Sequence, residues 1–254
     1  MGKVATPACR AGSTVRNAAE RSLCSAYGYN PTVMNTHVRL VEDTPAGAVP
    51  VRGYFHIPGN PSGEALVLTH GAGSNCNAPL LVALAGAFCE AGLTVLRCDL
   101  PFRQLRPHGP PRGDAERDQQ GLRRAIQVMR AQPTVRGHLV LGGHSYGGRQ
   151  GSMLLASDPS LADALLLLSY PLHPPKSAKQ LRTRHFPQLH TPALFVHGTR
   201  DNFGSIEEMK AALKLIPART KLLPVESAGH ELRTAHHYGD LTNLIASAVA
   251  SFLE

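Results

Sequence analysis

The stretch "LGGHSYGGRQ", Leu141 to Gln150, places Ser145 between glycines where an apolar run gives way to a helical pattern. The residues around this serine match G-x-S-x-G, a pattern in which the serine occupies a sharp turn from a strand into a helix. A tight turn that requires only a small residue at this position gives the same sequence pattern. The rest of the sequence therefore has to decide whether Ser145 is a nucleophile or a turn residue.

The segments next to Ser145 supply the strand and the helix that this pattern requires. "HLVLGGH" directly before it is a short apolar run, and "YGGRQGSMLLAS" directly after it has helical spacing. Gly143 and Gly147 are needed on steric grounds, because side chains at these positions would collide with the strand and the helix around a strained turn. The context favours Ser145 as a nucleophile.

From His37 onward, short apolar runs alternate with helical patterns. The first two runs flank a turn rich in proline and glycine and predict an antiparallel pair. The later runs are typical of strands buried on both faces of a parallel sheet. The runs are HVRLVE, VRGYFHI, ALVLTH, LTVLRCD, HLVLGGH, ALLLLSY, ALFVHG and TKLLPVE. This alternation predicts an α/β fold with a doubly wound, mostly parallel sheet of about eight strands and helices on both faces.

Three helices between and after these runs have readable boundaries. One starts near Asp114, and another follows a capping box formed by Ser205 and Glu208. Asp240 is the predicted N-cap of the last helix. The predicted buried residues of that last helix are Leu241, Leu244, Ile245, Ala248 and Phe252.

Length and composition predict one domain. A chain of 254 residues with 43% hydrophobic content can bury a large core. We expect a single domain over residues 34–254 and a poorly ordered basic extension over residues 1–33. The extension also has some transit-peptide character, its "MGKVAT" start fits a myristoylation pattern, and Met34 is an alternative start, so these alternatives stay open.

Charge and cysteine usage exclude several classes of function. The net charge of +8 is not arranged as a basic stripe with aromatic residues, so we expect no nucleic-acid partner. No apolar run approaches the ~20 residues of a membrane span. The five cysteines show no CxxC spacing, which argues against a zinc site or a disulfide framework and favours a cytoplasmic protein without metal or cofactor.

Two loops after later strands complete the pattern around Ser145. "ALFVHGTRD" places Asp201 after one predicted strand, and "LLPVESAGHEL" places His230 after the next. The carboxyl ends of parallel strands share one edge of a sheet, so these side chains should meet the serine. Asp99 is a rival acid, but it precedes the serine and is better explained as a structural turn residue. His70 and His197 end strands and are predicted to brace loops.

The order serine, acid, histidine is the order that the α/β-hydrolase fold uses, and the chain resembles that family. The resemblance implies a serine hydrolase in which His230 takes the proton of Ser145 and Asp201 orients His230. It implies no cofactor.

The same resemblance implies an oxyanion hole made of two backbone amides. One belongs to Tyr146, which follows the serine, and the other to Ala72 in "THGAGSN". Gly71 and Gly73 would let this loop approach the substrate.

A narrower resemblance runs from Val51 to the C-terminus. "LTHGAGSNCNAPLL", "VLRCDLPFRQ", "GGHSYGGRQGSMLL", "YPLHPP" and "TPALFVHGTRDNFGSIEEM" together resemble small predicted hydrolases related to testis-expressed protein 30 and to the C-terminal region of the third subunit of a nuclear histone-acetyltransferase complex. These are similar to capless dienelactone hydrolases. Two functions follow: a carboxylesterase acting on small or accessible esters or lactones, and a non-catalytic protein-interaction module on the same scaffold.

The sequence indicates less clearly which residues contact the substrate. Residues 170–190 are too few for an independent helical cap, so we expect an open site. A basic insert near the predicted mouth would attract anionic substrates, or it is simply a solvated loop. Tyr170 is also explained by core packing. The candidate substrate contacts are Arg103, Tyr170, Lys176 and Lys179, with Arg182 and Arg184 in the same insert as Lys176 and Lys179.

Overall fold

A computed structural model describes residues 36–254 apart from residues 45, 46, 48, 114, 176 and 234–237. The strands within this part are β1 (His37–Asp43), β2 (Val51–Ile57), β3 (Ala65–Thr69), β4 (Thr94–Cys98), β5 (Leu139–His144), β6 (Ala164–Leu168), β7 (Ala193–Gly198) and β8 (Thr220–Val225). The helices are α1 (Pro79–Glu90), α2 (Pro101–Leu105), α3 (Ala115–Arg130), α4 (Tyr146–Ser157), α5 (Ile206–Leu213) and α6 (Tyr238–Leu253).

All eight strands join in one sheet in the order β1-β2-β4-β3-β5-β6-β7-β8. β1 pairs antiparallel with β2 and β2 antiparallel with β4, while every later pairing is parallel. The order reverses around β3, as in doubly wound sheets, which bind ligands beyond the carboxyl ends of their strands. The predicted fold class is confirmed.

Two apolar cores lie on the two faces of the sheet. Successive strand residues point to opposite faces, so Val67 belongs to one core and Leu66 to the other. The core that contains Val67 also takes up the apolar residues of α3, α4 and α5, and the core that contains Leu66 takes up those of α1 and α6. The inner strands are buried on both sides, which explains their continuous apolar sequences.

The predicted start of α5 is confirmed and the predicted start of α6 is corrected. Ser205 Oγ accepts the Glu208 amide at 3.2 Å, and the Glu208 carboxylate accepts the Ser205 amide at 2.8 Å. α6 already includes Tyr238, so Asp240 lies in the first turn of the helix and not at its N-cap. A carboxylate in the first turn still complements the helix dipole.

One predicted core residue of α6 is wrong. Leu244 is 50% exposed, whereas Leu241 and Ile245 are buried. Successive residues of a helix are rotated by about 100° around its axis, and the buried side of this helix includes Leu241, Thr242 and Val249. Leu244 points about 120° away from the middle of that side and therefore faces solvent.

Several sequence predictions fall on residues outside the described part. They include the extension over residues 1–33, the alternative start at Met34, Asp114 and Lys176, and the boundary of the predicted domain stays a prediction. Cys76, Cys89 and Cys98 are buried free thiols. None of the helices in the described ranges has the length and apolarity needed to cross a bilayer.

Burial lowers the pKa of five histidines in the described part of the chain, namely His56, His70, His144, His185 and His197. Burial lowers the pKa of His56 to about 3 and the pKa of His70 to about 4. Burial and then the charge of Arg149 lower the pKa of His185 to about 4. The unfolded chain binds these protons near pH 6.5, so it holds more protons than the folded chain between about pH 6.5 and about pH 4.

Acidification from pH 7 to pH 5 should therefore destabilise the protein. Each such histidine contributes a slope of about 1.4 kcal/mol per pH unit within that window. Urea unfolding at half-unit steps of pH measures the slope. His185→Gln should reduce it by about one histidine's share, with the exposed His190→Gln as the matched control. A free energy of unfolding that stays constant from pH 7 to pH 5 would refute this expectation.

Candidate active site

Ser145 lies on the turn between β5 and α4, as predicted. Its backbone has φ 50° and ψ −114°, a conformation that residues with a Cβ rarely adopt. Its amide donates to the Leu168 carbonyl at 2.8 Å, which ties the turn to the end of the neighbouring strand β6. The side chain is thereby held at the carboxyl edge of the sheet.

The glycines around Ser145 are required by close backbone packing. A Cβ on Gly143 would lie 2.4 Å from the Gly148 nitrogen, and a Cβ on Gly147 would lie 2.5 Å from the His70 carbonyl oxygen. Such distances are shorter than van der Waals contact, so α4 can start this close to the sheet only with hydrogen at both positions. These clashes are of the kind for which the sequence analysis required glycine at both positions.

His230 and Asp201 reach the same place from the loops after β8 and β7. His230 Nε2 lies 2.7 Å from Ser145 Oγ, and His230 Nδ1 lies 2.8 Å from Asp201 Oδ2. The Asp201 side chain is 0% exposed and the His230 side chain 15% exposed. The structure thus brings the three predicted side chains into one hydrogen-bonded line whose acid end is closed to solvent.

A glycine that sequence analysis did not single out lets the two loops meet. A Cβ on Gly198, the last residue of β7, would lie 2.3 Å from the Ala228 carbonyl oxygen. The Arg200 amide also donates to that carbonyl at 2.9 Å. This close approach places the loop of Asp201 beside the loop of His230. The motif "HGTRD" could have indicated this close approach, because it places a glycine at the end of the strand shortly before the acid.

Backbone strain concentrates around the same edge. Among the described residues, the non-glycine residues with positive φ are Ser145, Ser169, Ser227 and Leu232. The first two directly follow β5 and β6, and the last two flank His230. Such outliers persist where surrounding structure enforces them, and they cluster at functional sites.

The loop that carries Ala72 lies against the turn of Ser145. A Cβ on Gly71 would lie 3.0 Å from His144 Nδ1 and 3.4 Å from Ser145 Cβ, so glycine keeps the two loops in contact. A Cβ on Gly73 would have no atom within 4 Å in the described chain. Tyr146 is the first residue of α4, so its amide lies at the positive end of the helix.

Arg103 is placed differently from the prediction. It is 3% exposed, and its guanidinium donates to the carbonyls of Ala72 at 2.8 Å and Ser74 at 2.7 Å. It also donates to the carbonyls of Arg106 and Gly109. Arg103 therefore holds the loop of Ala72 from inside the protein and does not face the mouth of the site.

Tyr170 is also corrected, in favour of core packing. It is 1% exposed, its hydroxyl donates to the Arg182 carbonyl at 2.6 Å, and its ring packs on Phe186 and Phe195. Lys179 is exposed in the same segment, and Lys176 lies outside the described residues.

The rival acid and the two strand-end histidines have the structural roles predicted for them. Asp99 accepts the Arg52 guanidinium at 2.9 Å and the Cys76 amide at 2.8 Å. His70 Nε2 accepts the Leu100 amide at 3.0 Å, and His197 Nε2 donates to the Gly204 carbonyl at 2.7 Å. Within the described ranges no group of three or more His, Cys, Asp or Glu side chains is arranged to hold a metal ion.

Comparison with known proteins decides the family. The family described as "Alpha/beta hydrolase domain" matches residues 62–253. The chain belongs to this family. Membership supports hydrolase function, and the narrower resemblance to proteins related to testis-expressed protein 30 stays a prediction.

Solved structures of other proteins share the fold. Dienelactone hydrolase from Anabaena variabilis has a TM-score of 0.70 and 21% identity over 86% of this chain and 99% of its own. Est1E from Butyrivibrio proteoclasticus has a TM-score of 0.67 and 16% identity over 84% of this chain and 98% of its own. A serine hydrolase without a lid from Xanthomonas campestris has a TM-score of 0.63 and 17% identity over 85% of this chain and 95% of its own.

The packing at the turn of this hydrolase predicts the effect of one added methyl group. Gly143→Ala should destabilise the fold by at least about 2 kcal/mol, because the new Cβ overlaps backbone atoms of α4 that cannot move without displacing the helix. Gly73→Ala is the matched control and should change the free energy of unfolding by less than about 0.5 kcal/mol. Urea unfolding measures both, and equal values for the two variants would contradict the steric account.

Proposed function

We propose that this protein is a serine hydrolase that cleaves carboxylic esters or lactones through an acyl-enzyme intermediate. Ser145 is the nucleophile, His230 is the general base, and Asp201 orients the base. The observation that carries the proposal is the line of contacts from Asp201 Oδ2 to His230 Nδ1 at 2.8 Å and from His230 Nε2 to Ser145 Oγ at 2.7 Å.

The contacts of His230 define its protonation pattern. A carboxylate only accepts hydrogen bonds, so Nδ1 of His230 carries the proton that points to Asp201. Nε2 then presents its lone pair to the Ser145 hydroxyl. A serine hydroxyl is a weak nucleophile at neutral pH, and transfer of its proton to Nε2 makes attack on a carbonyl carbon feasible.

Attack places a negative charge on the former carbonyl oxygen. The amides of Tyr146 and Ala72 are the proposed donors to it, one at the start of α4 and one on the loop that Arg103 braces. A preorganised donor of this kind contributes about 3 kcal/mol to lowering the barrier. Collapse of the adduct breaks the ester bond, and the leaving alkoxide takes the proton from His230.

Water completes the cycle. Water loses a proton to His230 Nε2 and attacks the acyl carbon bound to Ser145. The bond between that carbon and Ser145 Oγ then breaks, and Ser145 Oγ takes the proton back from His230. No step requires a group other than side chains, backbone amides and water, which is the reason for proposing a cofactor-independent reaction.

The choice of esters and lactones rests on the open architecture of the site. In the described part of residues 170–190 the only regular element is a single 3₁₀ turn over Phe186–Gln188, so this segment supplies no helical cap over Ser145. Two of the fold neighbours are a dienelactone hydrolase and a serine hydrolase without a lid. Small or accessible acyl groups are therefore the proposed substrates.

Loss of the nucleophile or the base should abolish turnover. Ser145→Ala and His230→Ala should each lower kcat for p-nitrophenyl acetate or butyrate by ~10³-fold or more, because the two groups act as one unit. Both variants should also stop labelling by a fluorophosphonate probe. Ser160→Ala, which removes an exposed hydroxyl outside the site, is the matched control and should react like the wild type.

Two results would overturn the proposal. Retained turnover in Ser145→Ala would place the chemistry elsewhere. A folded wild type that neither hydrolyses esters or lactones nor reacts with the probe would favour the non-catalytic interaction module.

A further inference from the structure

The two hydrogen bonds of His230 do not by themselves fix the tilt of its ring, which also depends on the position of the His230 backbone. Contacts at Nδ1 and Nε2 fix the line between Asp201 and Ser145 but not the tilt of the imidazole about that line. A tilt misaligns the lone pair of Nε2 with the Ser145 hydroxyl, since hydrogen bonds weaken steeply away from linearity. Groups that pack against the ring and groups that hold the His230 backbone therefore decide whether the ring stays aligned.

Phe203 covers one face of this ring. The two rings are stacked with centroids 4.1 Å apart and an interplanar angle of 29°. Phe203 is itself fixed to the loop of the acid, because its amide donates to Asp201 Oδ1 at 2.9 Å. Its carbonyl accepts the His173 amide at 3.0 Å. The same loop thus supplies a carboxylate for one ring atom and an aromatic surface for the ring face.

His144 holds His230 from another direction. Its Nε2 donates to the backbone carbonyl of His230 at 2.8 Å, and the two imidazole centroids lie 5.3 Å apart. Burial lowers the pKa of His144, which keeps the ring neutral with its single proton on Nε2. Because His144 directly precedes Ser145, this bond ties the loop of His230 to the turn that presents the nucleophile.

We propose that Phe203 and His144 are positioning residues that clamp His230 in the geometry needed for proton transfer. The inference rests on the proposed function and adds two residues to it. Phe203 sets the tilt of the imidazole, and His144 sets the distance between the backbone of His230 and the turn of Ser145. Neither residue exchanges a proton with the substrate.

Kinetics separate positioning from binding. Phe203→Leu and His144→Leu should each lower kcat for p-nitrophenyl acetate by about 10- to 100-fold, since small misplacements of reacting groups cost this much. KM should change by less than about threefold, because neither residue is proposed to bind the substrate. The rate of fluorophosphonate labelling should fall in parallel with kcat.

Conservative variants distinguish the two roles from general destabilisation. Phe203→Tyr keeps an aromatic face and should restore most of kcat, and His144→Gln keeps an N–H donor and should restore part of it. Phe252→Leu removes an aromatic ring from a buried site on α6 and is the matched control. It should lower the melting temperature and leave kcat within twofold of the wild type.

A spectroscopic measurement tests the clamp without turnover. The proton between His230 Nδ1 and Asp201 should give a far-downfield NMR signal in the wild type, and Asp201→Asn should abolish it. Phe203→Leu should broaden the signal through faster exchange with water, and Phe203→Tyr should retain it.

The outcomes separate this inference from the proposed function. An active wild type whose Phe203→Leu and His144→Leu variants keep kcat within twofold overturns the clamp and leaves the proposed function standing. A folded wild type that is inactive towards every ester, lactone and probe overturns both. Falls in kcat that Phe203→Tyr and His144→Gln do not reverse also overturn the clamp.

Discussion

The steric contact between the first turn of α4 and the end of β5 is the constraint on which the site depends. Gly143 and Gly148 pack backbone against backbone across this contact at distances that exclude a Cβ, and Gly147 packs equally closely against the His70 carbonyl just after β3. This contact forces Ser145 into its strained conformation and brings the positive end of α4 to the carboxyl edge of the sheet. The position of the Ser145 hydroxyl at the sheet edge and the position of the Tyr146 amide, proposed as an oxyanion donor, both result from this close approach.

The parallel order of the inner strands brings the remaining groups to that turn. β5, β6, β7 and β8 are consecutive in the sheet and run in one direction, so their following loops lie side by side. The loops then fix one another through backbone contacts: Ser145 bonds to Leu168, and Arg200 bonds to Ala228. The site is a property of the sheet edge as a whole, with the side chains held by loops that brace each other.

The sequence was sufficient for the elements whose signal is local. The eight strands, the capping box of Ser205 and the order of Ser145, Asp201 and His230 all follow from periodicity or from a motif with a steric reason. What it could not predict was where long side chains end. Arg103 and Tyr170 both lie in segments that follow strands ending at the edge of the site. The guanidinium of Arg103 nevertheless points inward to backbone carbonyls, and the ring of Tyr170 packs in the core. The contacts of Phe203 and His144 with His230 depend in the same way on rotamers and on loop packing. Neither of these produces a periodic pattern that can be recognised in a single sequence.

The sequence separation of the contacting groups has a consequence during synthesis. The histidine that approaches Ser145 lies 85 residues further along the chain. A ribosome-bound chain can therefore carry the finished turn of Ser145 while the residue that would activate it has not yet been translated. In the proposed mechanism the growing polypeptide is chemically silent towards cellular esters, and reactivity appears only when β8 joins the edge of the completed sheet.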